Sequence, residues 1–163
     1  MSIPPRGRPP TLTEKLHYQT EFPHLFHFSV TGEVDPSYDC VSLTVMPEAP
    51  ERLRPSNALV VLGGLAALDQ FYREHRFARV ARVPSDPEVS CVAIFARDGA
   101  LTHVALRDRH PAWWESKLGT GLRILHPLTG LEGGRYGGVV GYYSAAPRVQ
   151  ATPSPVARSS DSA

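Results

Sequence analysis

Two side chains in this sequence could work together as a nucleophile and its base. Cys40 stands in Tyr38-Asp39-Cys40-Val41-Ser42-Leu43, just after the turn Asp35-Pro36-Ser37. A turn that feeds a short helix, with Ser37 or Asp39 as its cap, puts the thiol at the positive end of the helix dipole, which favours the thiolate. His103 stands in Thr102-His103-Val104-Ala105-Leu106, directly after a hairpin signal. A histidine near the start of a mid-sheet strand is held stiffly. It can offer one ring nitrogen to a thiol and the other to a third group that fixes its tautomer. An early cysteine with a distant histidine is the general arrangement of a thiol nucleophile and its base.

The third group would come from the next strand: Glu115, Ser116 or, further on, His126. Glu115 would raise the basicity of the imidazole, and Ser116 would orient it. A slip of one residue reverses the face of a strand, so all three stay open. Each residue also has a plainer reading. A lone cysteine is more often a small buried apolar group, and a lone histidine is more often structural. Cys91, inside Cys91-Val92-Ala93-Ile94-Phe95, reads as core.

Other signals carry less. His24 and His27 are three apart, half of a metal site, with no third ligand at convincing spacing. Trp113-Trp114 could face a sugar or a peptide, but packing in the core and over a sheet edge accounts for both. Gly133-Gly134-Arg135-Tyr136-Gly137-Gly138 lacks the Lys-Ser/Thr of a phosphate loop and reads as a turn where glycines permit close backbone approach. Ser116 beside Lys117 has the composition of a Ser-Lys dyad, but a structural ion pair or cap has the same composition.

The elements that must position these groups follow from periodicity. Phe26, Phe28 and Val30 alternate like a short strand, in an aromatic arm over 16–34. Ser56 can cap a helix with apolar residues at Leu59, Leu62, Leu65, Leu68, Phe71 and Tyr72, firm over 65–75 beyond the Gly63-Gly64 pair. Strands are predicted over 77–83, 90–96, 101–108, 113–118, 122–126 and 136–143. The run at 90–96 is apolar throughout, as expected of a strand covered on both faces. Asp98-Gly99 favours positive φ and a tight hairpin.

Helices first and strands after argue an α+β fold, N-terminal helices packed on a meandering antiparallel sheet. The 163 residues suit one domain, with 42% apolar and 20% charged residues. The Pro-rich ends read as disordered tails at 1–15 and 145–163, leaving a single domain over 16–144. A net charge of +1 with no basic run gives no field to recruit nucleic acid or an acidic membrane. Two cysteines, no signal-like stretch and no long apolar run suggest a cytoplasmic protein with free thiols.

The stretch over 89–143 resembles a family of uncharacterised bacterial domains. Three landmarks carry the likeness: Thr102-His103-Val104-Ala105-Leu106-Arg107; Trp114-Glu115-Ser116-Lys117-Leu118-Gly119 with Ile124 and His126; and Leu131-Glu132-Gly133-Gly134-Arg135-Tyr136-Gly137-Gly138-Val139-Val140. Tyr38-Asp39-Cys40 is similar to that family's Tyr-Asn-Cys motif. The order of cysteine, helix, His-Val-Ala strand and polar strand is also similar to papain-like amidases of the CHAP type. That resemblance implies a papain-like fold, Cys40 as nucleophile, His103 as base, Glu115 nearest the third position, and no metal or organic cofactor. The expectation is a thiol hydrolase acting on an amide bond of a protein or peptide, an isopeptide, a side-chain amide or peptidoglycan. The alternative is a non-catalytic interaction module or effector on the same fold. Val-Ser-Leu-Thr-Val after Cys40 favours the alternative, because an aromatic residue is expected there.

Overall fold

The computed structural model describes residues 3–53 and 63–145. Ser56, Leu59, Leu62 and the C-terminal residues beyond 145 lie outside the described residues. Among the described residues seven strands form one sheet with every neighbouring pair antiparallel: β1 (Ser29–Gly32), β2 (Phe77–Val80), β3 (Cys91–Arg97), β4 (Ala100–Arg107), β5 (Trp114–Lys117), β6 (Arg123–His126) and β7 (Gly138–Ala145). The order across the sheet is β1-β6-β5-β4-β3-β7-β2. The fold is therefore α+β. The meander holds for β3 to β6 only. β7 returns beside β3, and β1 and β2 close the two edges.

The β3–β4 hairpin turns on Asp98 and Gly99, with φ of 51° and 79°. Two successive positive φ values match the right-handed twist of the strands, which is why Asp-Gly stands there. Residues 91 to 95 are all buried because both faces of β3 are covered. On one face, Val92, Ile94 and Val104 pack with Cys40 and Val41 of α2 (Cys40–Val45) and with Leu68 and Tyr72 of α3 (Gly64–Glu74). The Tyr72 hydroxyl reaches Thr44 Oγ1 at 2.7 Å and joins the two helices. On the other face, Ala93, Phe95, Ala105, Trp114 and Ile124 meet Tyr18, Phe22, Leu25 and Phe28 of the N-terminal part of the chain. Each such apolar side chain removed from water contributes about 1.5–3 kcal/mol. The second face is thus roofed by aromatic residues from a segment only partly helical.

The reading of residues 1–15 as a disordered tail is corrected for those described. Thr11 caps α1 (Leu12–Glu21) through a capping box with Glu14. Arg8 exchanges two backbone hydrogen bonds with Val30, of 2.9 and 2.8 Å, and so lengthens the sheet edge. Arg8 also pairs with Glu14 and Glu33, and Arg6 with Asp108 and Glu115. Prolines suited this strap because its backbone has few ladder bonds to lose. Composition pointed to mobility, but specific charge pairs and the cap hold the segment.

The glycine-rich turn after β6 works as the sequence suggested. Gly137 has φ of 77°, and a Cβ there would collide with the Ala96 carbonyl. Gly134 packs equally close to the Glu21 carbonyl, and Arg135 N–H donates to that oxygen at 3.1 Å. The turn thereby ties the end of α1 to the sheet and sets Tyr136 over β4. No helix among the described residues is long and apolar enough to cross a membrane.

Candidate functional site

The site is built on β4, β5 and β6. Phe95 pairs with His103, so both side chains point to the face roofed by the N-terminal residues. Leu106 pairs with Glu115, which puts Ser116 on the His103 face and Glu115 and Lys117 on the other. Ser116 pairs with Ile124, and Trp114 with His126, so His126 shares that face as well.

Ser116 Oγ lies 2.9 Å from His103 Nε2 and 2.8 Å from His126 Nε2. His126 Nδ1 lies 2.8 Å from the Pro127 carbonyl oxygen. These contacts fix every proton. A carbonyl only accepts, so His126 Nδ1 carries the hydrogen and donates. Burial pushes His126 down to about 4, which leaves it neutral and its Nε2 an acceptor. Ser116 must donate its single proton to that nitrogen. Its oxygen then accepts from His103 Nε2–H. His103 is held well below its ordinary value by burial first, and then by the repulsion that a protonated His126 and the Arg135 charge would exert on its cation. It is neutral, and its Nδ1 bears a lone pair that meets no hydrogen-bond donor among the described residues. Tyr136 stacks on the imidazole with ring centroids 4.0 Å apart and planes 2° apart. His103 is thus fixed in tautomer by Ser116 and in plane by Tyr136.

Cys40 is the first residue of α2, and Asp39 caps the helix by accepting from Ser42 N–H at 2.9 Å. The thiol packs against Val104, the residue after His103. The β4–β5 ladder covers only Leu106↔Glu115 and Arg107↔Trp114. The Val104 N–H lies beyond that ladder and is turned toward the sulfur. Burial, aided by the Asp39 charge, pushes the thiol up to about 12, and the N–H groups of Val104, Cys40 and Val41 offset only part of this. Cys40 is 5% exposed and His103 1%. Among the described residues no hydrogen bond joins them: the thiol packs with Val104 on the α2 face of the sheet, and His103 points to the opposite face, so the sheet stands between thiol and imidazole.

The profile of a domain of unknown function, DUF7689, matches residues 29–144. The chain belongs to this family. The three landmark stretches over 102–107, 114–119 and 131–140 all fall inside the match, as do Cys40, His103, Ser116 and His126. No curated protein and no solved structure matches the chain.

Within the DUF7689 domain the other sequence candidates separate. Glu115, which the sequence placed near the third position, does not touch His103. It accepts from Arg123 at 2.8 and 2.9 Å, from Arg6 at 3.0 Å and from Thr31 at 2.7 Å. Burial alone would push its carboxyl up; the hydrogen bonds from Arg123, Arg6 and Thr31, with the Arg123 charge, outweigh it and hold the group below its ordinary value. The cause of the separation is parity, since Glu115 and Ser116 are neighbours on a strand. Lys117 is likewise parted from Ser116. It donates to the Gly119 and Gly121 carbonyls at 3.1 and 2.7 Å and lies 5.0 Å from the centre of the Tyr38 ring. Cys91 is fully buried in the core, and both tryptophans are buried. No group of three or more metal-ligating side chains occurs among the described residues. The sequence reading missed Tyr136 as part of the site. Its position inside a glycine-rich turn, where a bulky ring has little else to cover, was the available signal.

Proposed function

We propose that this DUF7689 domain is a papain-like thiol hydrolase that cleaves an amide bond with Cys40 as nucleophile and His103 as general base. The observation that carries the reading is the unpartnered Nδ1 of His103, on an imidazole whose other nitrogen is committed to Ser116. A buried lone pair without a donor costs about 1–3 kcal/mol, and a proton acceptor is the chemistry it suits. The order of Cys40, its helix, the His-Val-Ala strand and the Ser116 strand supports a papain-like assignment.

In this reading His103 Nδ1 takes the Cys40 proton as the sulfur attacks the carbonyl carbon. The carbonyl π pair moves to oxygen, where a backbone N–H at the start of α2 meets the negative charge. The C–N bond then breaks and the amine leaves with the proton from Nδ1. Water, deprotonated by His103, attacks the thioester, the C–S bond breaks, and the proton returns to sulfur. By accepting from Nε2–H, Ser116 leaves Nδ1 as the nitrogen that takes and returns the proton, and His126 keeps the Ser116 proton turned away from His103. Because burial favours both neutral forms, the proton moves during attack and no thiolate–imidazolium pair is needed beforehand. Cys40 and His103 lie on opposite faces of β4, so this reading requires a rearrangement that brings the start of α2 to the imidazole, and substrate reaches the sulfur only after the groups covering Cys40 move.

A second reading is a non-catalytic interaction module on the same fold. The burial of Cys40, its raised pKa and its place on the opposite face of the sheet from His103 favour it.

The test is labelling of the full chain at pH 7.5 with a panel of peptide chloromethyl ketones, read by mass spectrometry. The hydrolase reading expects a label on Cys40 that forms faster than with iodoacetamide and slows by about 10²–10⁴-fold in His103→Ala. A folded wild type that leaves Cys40 unlabelled, or a His103→Ala rate equal to wild type, overturns it in favour of the second reading.

A further inference from the structure

α2 is six residues long, too short to persist without its tertiary contacts. Its start packs on β4, and two cations from β5 and β6 hold its flanks. Tyr38, just before the Asp39 cap, lies over Lys117 Nζ at 5.0 Å. Pro47, just after Met46, accepts from Arg123 Nη1 at 3.3 Å. Arg123 lies against the Tyr38 hydroxyl as well. Gly32 of β1 makes room for both, since a Cβ there would stand 3.0 Å from Arg123 Cβ and 3.5 Å from the Tyr38 hydroxyl. Arg123 therefore touches the chain on either side of Cys40.

Lys117 and Arg123 stand directly opposite each other in the β5–β6 ladder, where like charges repel. Glu115 offsets this by accepting from Arg123 Nε and Nη2 at 2.8 and 2.9 Å. The same carboxylate accepts from Arg6 of the strap at 3.0 Å. The several N–H donors of a guanidinium let Arg123 hold Glu115 and Pro47 at once, which the single nitrogen of a lysine cannot do. The grip on α2 is thus fastened to the sheet through Glu115.

We propose that Arg123 is the latch of the Cys40 helix: while it holds Pro47 and Tyr38, α2 stays closed on β4, and its release lets the start of α2 leave the sheet and uncovers the thiol. This regulation of the Cys40 site rests on the hydrolase reading for its purpose. Thiol access is measured without substrate, so either can fail alone.

The test labels both buried cysteines with methyl methanethiosulfonate at pH 8, read by mass spectrometry, in wild type and in Arg123→Lys. That variant keeps a charge facing Glu115 and gives up Pro47. Cys91 lies in the core on the other face of the sheet and reports global unfolding. Labelling of Cys40 should rise about tenfold or more in the variant, the loss of one charged hydrogen bond, while Cys91 stays within about twofold. Equal acceleration of both cysteines, or none at Cys40, overturns the latch. Hydrogen exchange of the wild type needs no variant. The Leu43 and Met46 amides, which donate to the Asp39 and Ser42 carbonyls, should exchange at least about tenfold faster than the Val92 and Ile94 amides of β3. One common rate for all four means that α2 opens only with the whole fold, and overturns the proposal even if Arg123→Lys fails to fold. An opening latch without His103-dependent labelling by the chloromethyl ketones keeps the latch and removes only the hydrolase reading.

Discussion

His103 Nε2 stands 2.9 Å from Ser116 Oγ, and because Ser116 spends its only proton on His126, that short contact decides which nitrogen of His103 is basic. Ser116→Ala removes the acceptor that fixes the tautomer and leaves the buried Nε2 of His126 without a donor. Two effects are expected. Stability should fall by about 1–3 kcal/mol in urea unfolding, the cost of a stranded buried acceptor. In ¹⁵N spectra of the rings, the wild-type His103 should show a protonated Nε2 and a bare Nδ1, and the variant a mixture. A wild-type His103 protonated at Nδ1 would refute the proton assignment.

Acid should unfold the protein earlier than its carboxylates alone would. His103 and His126 have folded pKa values below the ordinary 6.5, His126 at about 4, so the unfolded chain binds protons first as pH falls. Their neutral forms cost nothing above pH 6.5. Between 6.5 and about 4, stability should drop by about 1.4 kcal/mol per pH unit for each buried imidazole. Denaturant titrations from pH 7.5 to 4.5 measure this slope, and His126→Gln should remove about one proton's worth of it. A flat profile across that range would show that the imidazoles are not buried neutral in solution.

Glu115 anchors the N-terminal strap, and Glu115→Gln tests how much the anchor matters. It leaves Arg123 and Arg6 facing a neutral amide. A buried pair broken on one side costs about 3–5 kcal/mol, and the partial exposure of Arg6 and Arg123 lowers this to about 2–3. Arg6→Ala, with its more exposed side chain, should cost about 1 kcal/mol or less yet speed hydrogen exchange at the Arg8 and Val30 amides. Unchanged exchange in both variants would mean that the Arg8–Val30 bonds alone hold the strap.

Much of this architecture was legible because it depends on neighbours in sequence. Asp98-Gly99 demands positive φ wherever it lies, so the β3–β4 hairpin was visible. A turn followed by Ser37 or Asp39 as a cap placed Cys40 at a helix start, and Asp39 is the cap the structure uses. The apolar run over 91–95 announced a strand covered on both faces. The strap was misread because Arg6 finds its carboxylate partners, Asp108 and Glu115, at the far end of the sequence, and Arg8 is held by the Val30 backbone and Glu33.

Which polar group serves His103 belongs to tertiary structure. Glu115, Ser116 and His126 were equal candidates, and the pairing Leu106↔Glu115 separated them by turning Ser116 to the imidazole face and Glu115 to the arginines. Strand side chains alternate with period two, so a register set by packing across the whole sheet fixes what no local pattern can. The same holds for Tyr136, carried onto His103 by a turn from the far side of the sheet, and for the Cys40 thiol. Sequence put that thiol where a helix dipole favours the anion. Burial between α2, α3 and β4 decided that it rests protonated, because desolvation of a charge outweighs the dipole of a six-residue helix.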